Sequence, residues 1–454
     1  MNRVINLKLI LFFFLAIQLP AMGLTEIKKP SYQVAKDKAL NWLKSQMAPN
    51  DTVPDPQPER MHLVLSYQIP KSAAAYRYLY GRSMVYDNAL AVIAFTMNRD
   101  YQNAAFILNT LKRLVREDGS MWFGYNVNNS WPSEEDHSGA LDRTGSTAWA
   151  GYSAMFYILR RQKEEPDLLK RSKEAQSFLK MAQAIGNNFL GLQIKNSKDP
   201  RNGLVTGGKN EYILKYDNHS VAEDFQEVNM DWASTEHNID AFFFLRDLGR
   251  LTEEDSYIKA AEEIKTGLLN TWSVKDNQYY QGIKRDQIDT VLALDCASWG
   301  SIFSLIAGKT DYSRACLTAI ESYYNSYDDS KAAGRVFGYK PYAFGEIFND
   351  TNRDISAYYY PDEPGLTWKD MPGVWGEGSL GAAMAYLKLG DTNKTKAILD
   401  EILKMQTSDG GVLYFTREIP HEFVDYPSVA STAWLVMVLS GLDNMDLLDD
   451  FWGK

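Results

Sequence analysis

The sequence has few of the residues that metal and redox chemistry need. It holds only 2 cysteines and 5 histidines in 454 residues. No His-Glu-x-x-His, no Cys-x-x-Cys and no glycine-rich phosphate loop occurs. A catalytic zinc, a thiolate metal site and a bound nucleotide are therefore unsupported, and neither metal nor cofactor is expected. Cys296 and Cys316 are compatible with a disulfide or with two buried thiols, since Cys296 lies in an apolar stretch. There is no long run of Lys and Arg, and the net charge is −10, so nucleic acid is an unsuitable partner. No apolar run reaches the length of a confident membrane span, and none is expected to remain inserted in one. No low-complexity linker or composition break divides the chain, so residues 24–454 read as one domain.

The N-terminal stretch has the pattern of a secretory signal. Arg3 and Lys8 give a basic start, Leu9 to Leu19 is apolar, and Ala21-Met22-Gly23 fits small-x-small cleavage. Cleavage after Gly23 is expected, with export to a periplasm or out of the cell. An uncleaved anchor is the alternative. No cysteine follows the apolar run, so a lipid anchor is not indicated.

What the chain has in quantity is aromatic side chains, at 13%, with 11 Trp and 27 Tyr. Most must serve the core, but some suit a cleft for hydroxyl-rich sugar rings. Two kinds of helix alternate. One kind is apolar nearly all round and must be buried. It covers Ser83 to Met97, Thr144 to Leu159, Ser234 to Leu248, Ala293 to Ala307, Glu377 to Leu389 and Ser428 to Leu439. The other has a single apolar stripe: Pro30 to Met47, Tyr101 to Arg116, Leu168 to Leu192, Glu254 to Leu269, Tyr312 to Ser326 and Thr392 to Met405. Six buried helices alternating with six outer ones predict an all-α fold, an (α/α)6 toroid of two concentric rings.

The links sharpen this. From inner to outer helix they are mostly short, as at Asn98 to Asp100. From outer to inner they are about 20 to 50 residues, far beyond the usual median. All the long links must then lie at the end where the inner helices begin, and that end should hold the site. Asp118 to Tyr125, Asn202 to Val205, Asn277 to Tyr280, Gly334 to Gly338 and Ser408 to Tyr414 pair turn residues with β-formers and predict short hairpins there. The acidic segment Asp217 to Asp231 reads as a solvated loop, since it lacks a calcium-loop spacing.

Each inner helix starts with polar residues. They are Tyr86, Asp87 and Asn88; Arg143, Thr144 and Ser146; Thr235, Glu236, His237 and Asn238; Asp295 with Ser298 and Trp299; Trp375 and Glu377; and Ser428 with Ser431 and Thr432. Capping accounts for any one of them. Six such ends at one mouth would do more, because crowded acids push one another's pKa values apart. Glu377 is the leading candidate for the catalytic acid, its flanking glycines leaving room for a ligand. Glu236, Asp87 and Asp295 follow. Tyr86, Asn88, His237, Trp299, Trp375, Trp232, Trp122 and Arg143 are the candidates for substrate binding. His137, His219 and His421 fall in or beside the long links and read as solvated.

Stretches such as Tyr86-Asp87-Asn88-Ala89, Thr235-Glu236-His237-Asn238 and Trp375-Gly-Glu377-Gly, set in six hairpins, resemble the six-hairpin glycosidase superfamily. The resemblance covers essentially the whole chain after residue 23. It implies action on an oligo- or polysaccharide, usually hydrolysis by two carboxyl groups. His237-Asn-Ile-Asp240-Ala241-Phe242 is also similar to the His-x-x-acid-Ala-aromatic helix of the sugar 2-epimerases. A polysaccharide lyase and a non-catalytic glycan-binding protein are further alternatives on this fold. Terpenoid cyclases share α/α rings, but their Asp-x-Asp-Asp motif is absent here.

Overall fold

A computed structural model describes residues 31–453 except 129–140, 218–219, 344–353, 355, 357–362, 368–369 and 420–422. Residues Tyr32–Lys454 form one compact unit. The predicted signal segment, His137, His219 and His421 lie outside the described residues.

Among the described residues, twelve helices build two rings. We number them α1 (Tyr32–Ser45), α2 (Val85–Met97), α3 (Tyr101–Leu114), α4 (Thr144–Glu164), α5 (Lys173–Leu192), α6 (Thr235–Thr252), α7 (Asp255–Leu269), α8 (Leu294–Ile306), α9 (Thr310–Ala319), α10 (Gly376–Lys388), α11 (Thr392–Ile402) and α12 (Val429–Asp443). The even-numbered helices form the inner ring. Each packs against the next, and α12 closes onto α2. Each odd helix from α3 onward packs on the inner helix before it, and α1 covers α12. The alternation follows from burial. In α2, every residue from Asp87 to Met97 is buried, whereas α3 buries one stripe, Ala104, Ala105, Ile107, Leu108, Thr110 and Leu111. No described helix is long and apolar enough to cross a membrane.

Several outer helices are shorter or more broken than their patterns predict. Ser172 splits the third one, its hydroxyl capping Ala175 N–H at 3.1 Å, so α5 starts at Lys173. α9 passes into a π-turn at Ile320–Tyr324, and α11 into a 3-10 turn at Leu403–Met405.

The axis of the toroid is filled, not open. Trp149, Trp299 and Trp434 sit one turn inside the inner ring with ring centroids 5.7 to 6.1 Å apart. Phe451 and Trp452 reach them after the last helical turn. Trp452 lies 5.1 Å from Trp149 and stacks on Phe243 at 4.7 Å. Edge and offset contacts of this kind add to the area that large rings bury.

The links carry a belt that sequence patterns did not reveal. The residue just before every inner helix is extended and pairs antiparallel with the following link. The pairs are Met84 with Gly124, Arg143 with Gly208, Ser234 with Gly282, Ala293 with Tyr342, Trp375 with Phe415, and Ser428 with Tyr67 of the first link. One expected hairpin is corrected by this belt, since Gly124–Asn126 pairs with Arg82–Met84. At Ser408 to Tyr414 the turn does close, with Val412 bridging Gln406 across it and Ser428 on its other side. Hairpins at Trp272–Tyr279 and Asn325–Tyr339 do form. The acidic segment is also corrected. Ser220–Asn229 is a ten-residue strand paired with Gly208–Asp217, not a loop. Its β-forming residues, such as Val221, Phe225 and Val228, outweigh the acids.

A second repeat fixes the belt. Four residues past the extended one, the side chain turns outward and takes a backbone N–H of the preceding link. Asn88 Oδ1 accepts from Val64 at 3.0 Å, Asn238 Oδ1 from Val205 at 2.7 Å, Ser379 Oγ from Tyr339 at 3.0 Å, and Thr432 Oγ1 from Val412 at 2.9 Å. Four of the six helix starts, those of α2, α6, α10 and α12, are therefore held at fixed height and rotation.

Candidate active site

With the first turns held this way, the second residue of each inner helix points inward. These six are Tyr86, Gly145, Glu236, Asp295, Glu377 and Ala430. All six line one cavity of about 390 Å³ on the toroid axis. Asp87, one residue later in α2, joins them, so the four candidate carboxylic acids meet in one place. Trp149 lies at the floor.

Position in the turn thus separates two roles for the polar helix starts. The second residue faces the cavity, and in α2, α6, α10 and α12 the fourth holds a link. Asn88 belongs to the second group. It is 1% exposed, and its amide nitrogen donates to Ser83 Oγ and Met84 O, both at 2.7 Å. It has no surface left for substrate.

The acids sit at helix N-termini, where the dipole favours negative charge, yet burial dominates. It lifts the Glu377 carboxyl to about 8, against the Tyr86 O–H, which donates to Glu377 Oε1 at 2.6 Å. It lifts Glu236 to about 7, and Asp87 to about 7 against a bond from the Ser66 hydroxyl. Asp295 is raised well above the usual range by burial, then by the charges of Glu236 and Glu377. Asp240, one turn beneath Glu236, is raised in the same way by burial, then by Glu236 and Asp295. Crowded, poorly hydrated acids share few negative charges, so several are protonated near neutral pH.

His237 reaches the cavity because the second residue of α4 is glycine. A Cβ on Gly145 would come within 2.4 Å of the imidazole. His237 Nδ1 is 3.2 Å from Thr144 Oγ1. Burial, then the charge of Arg143, pushes its pKa down to about 3, so the ring is neutral. Arg143 is anchored through Nη1, which donates to the carbonyls of Asp142, Lys209 and Asn210 at 3.0, 3.0 and 2.7 Å.

The remaining candidates separate. Trp375 lines the cavity, 8% exposed. Contrary to the expectation above, the glycines beside Glu377 do not make room for a ligand. The space at Gly376 is taken by the Leu413 carbonyl, and that at Gly378 by the Trp375 indole. Trp299 is 2% exposed within the tryptophan layer below the cavity, and Trp122 lies under Arg116 at 4.1 Å, lining neither cavity near the acids. Trp232 borders a neighbouring cavity of about 510 Å³.

Sequence reasoning missed the aromatic wall. Tyr67, Tyr342, Tyr414, Phe123 and Phe423 line the cavity from the links. Tyr67 and Tyr342 are belt residues, and Phe123 and Tyr414 adjoin belt residues. No local pattern marks them, because the belt pairs residues distant in sequence. Among the described residues, no group of three or more His, Cys, Asp or Glu is placed to hold a metal ion. Cys296 and Cys316 are buried free thiols.

No protein-family model matches the chain, and no curated protein matches it. Solved structures do. A glycosidase variant in complex with glucose superposes with a TM-score of 0.56 at 10% identity, covering 90% of this chain and 97% of that one. The fold is that of the six-hairpin glycosidases. A family 76 glycoside hydrolase from a bovine Bacteroides thetaiotaomicron strain shares the six-hairpin architecture, with a TM-score of 0.53, 10% identity and coverage of 91% and 77%. A D-mannose isomerase does so too, with a TM-score of 0.52, 11% identity and coverage of 93% and 100%. At these identities the likeness speaks for the six-hairpin fold, and the chemistry must be argued from the cavity.

Proposed function

We propose that the protein is an exported glycoside hydrolase acting on an oligo- or polysaccharide. One observation carries this reading: the inward residues of all six inner helices meet at a single cavity that gathers Asp87, Glu236, Asp295 and Glu377. Glycoside hydrolysis requires one protonated carboxyl to protonate the leaving oxygen and a second carboxyl as base or nucleophile. A cluster with raised pKa values supplies protonated and ionised members together at neutral pH. Trp375, Tyr67 and Tyr414 offer ring faces and hydroxyls suited to sugars. The glycosidases and the isomerase of the same fold support a carbohydrate substrate.

The test is release of reducing sugar from a glycan panel by wild type, Glu377→Gln and Glu236→Gln. Each substitution should lower kcat by about 10²- to 10⁴-fold while the protein still melts cooperatively. Full activity in both would end the acid-pair reading.

A second reading, sugar isomerisation or 2-epimerisation, is favoured by His237, a neutral imidazole in the cavity wall. It predicts a changed sugar configuration without bond cleavage, abolished by His237→Ala. Glycan affinity with no product at all would instead point to a binding protein.

A further inference from the structure

The acid cavity opens into a second one. The outer compartment, about 510 Å³, lies over the start of α6 and is bordered by Trp232, Lys284, Gln281 and Asp289. Four residues line both compartments: Phe123, Arg143, Glu236 and His237. Glu236 is the only one of the four clustered acids among them. Asp87, Asp295 and Glu377 line the inner compartment alone. That inner compartment is blocked below by Trp149 and the rings beneath it. In the outer one, Trp232 rests on Gly207, where a Cβ would come within 2.2 Å of the indole, and its ring centroid is 5.6 Å from that of His237. Its indole is half-buried and fixed, the condition for a stacking surface.

Resting on the hydrolase reading, we propose that Glu236 is the acid that protonates the leaving sugar, and that the compartment beside Trp232 receives it. A substrate of at least two sugar units would place its inner ring among the acids and the next ring against Trp232. The glycosidic oxygen between them then lies at the junction, where Glu236 stands. The Glu236 carboxyl donates its proton to that oxygen as the C1–O bond breaks, and the bond's electron pair leaves with the oxygen as the alcohol of the departing sugar. Water completes C1, its proton passing to a carboxylate of the inner compartment. Glu377 is placed for this second part: it lines the inner compartment alone, and the Tyr86 O–H fixes its carboxyl at 2.6 Å. The expectation that Glu377 is the proton donor is replaced by Glu236.

The experiment compares two leaving groups. The protein is screened against α- and β-linked disaccharides of glucose, mannose and galactose, and against the glycosyl fluorides of the same sugars. Fluoride departs without full protonation and is too small to fill the outer compartment. Glu236→Gln should lose disaccharide cleavage by at least about 10²-fold but keep fluoride hydrolysis within about tenfold, while Glu377→Gln loses both. Trp232→Ala, or Trp232→Leu if the alanine variant does not melt cooperatively, should raise KM for the disaccharide and leave that for the fluoride unchanged. If Glu236→Gln loses the fluoride reaction as fully as Glu377→Gln, or Trp232→Ala shifts both substrates alike, this assignment falls and the hydrolase reading stands. Wild-type protein inert toward every disaccharide and fluoride overturns both.

Discussion

The Tyr86 hydroxyl joins two inner helices to the acid cluster. It donates to Glu377 Oε1 at 2.6 Å and accepts from Trp434 Nε1 at 2.9 Å. The indole fixes the hydroxyl's direction, so its proton is aimed at the carboxylate. Tyr86→Phe removes the donor that holds the Glu377 carboxyl down. The limb of the kcat/KM profile that titrates Glu377 should therefore move to higher pH, with kcat falling at neutral pH. An unmoved profile would separate Tyr86 from the chemistry.

Thermal stability should fall as pH rises from about 4.5 to about 8. Asp87, Glu236 and Glu377 have folded pKa values of about 7, 7 and 8, all above their ordinary values. For a raised acid, the folded state holds more protons than the unfolded chain between the two pKa values. The associated stability is complete below the unfolded pKa and is lost as pH climbs through the folded one. Glu377→Gln removes one such group and should raise Tm at pH 8 more than at pH 5. Scanning calorimetry at the two pH values checks this, and the opposite slope would contradict the burial of the acids.

Asn88 and Asn238 should matter for stability and not for turnover. Each bonds both backbone groups that the belt needs, Met84 O and Val64 N–H for Asn88, Ser234 O and Val205 N–H for Asn238. Asn88→Ala leaves a buried N–H without its acceptor, a loss of about 1–3 kcal/mol. Urea unfolding should show that loss, with kcat of the remaining folded protein near wild type. A large drop in kcat alone would place Asn88 at the substrate after all.

Trp452→Ala should be among the most destabilising single changes outside the inner helices. The ring is 1% exposed and packs on Phe243, Trp149 and Trp299. Emptying that space costs about 3–5 kcal/mol. Denaturant midpoints measure it, and a change below about 1 kcal/mol would mean the axis is not packed as described.

The two rings were legible because burial leaves a periodic mark. A helix surrounded by others, such as α12, must be apolar on every face, and one with a single contact, such as α3, must not. The acids were legible for a related reason. Glu236, Asp295 and Glu377 share one position in their first turns, and the fold makes those turns converge. Asn88 and Asn238 looked equally functional, since periodicity gives the position of a residue in a turn but not which face of the ring it meets. Trp299 was misjudged on the same ground: it shares a face with Asp295 but lies a turn deeper. The tyrosines of the wall could not be found by pattern. Tyr67, Tyr342 and Tyr414 stand in irregular links, and only pairing with a residue distant in sequence, as between Tyr67 and Ser428, brings them in.

The packing of α1 against α12 has a consequence for how the molecule is made. Tyr32 O–H bonds Asp400 at 2.9 Å, and Lys36 pairs with Asp443, so the first outer helix finds its partners some hundreds of residues downstream. During synthesis, α1 therefore emerges long before anything exists to cover its apolar stripe. Each later hairpin can dock on the one before it, but the last gap closes only once α12 has left the ribosome. Contacts so remote in sequence form slowly, and until then the growing arc exposes two unsealed ends that holding factors could shield.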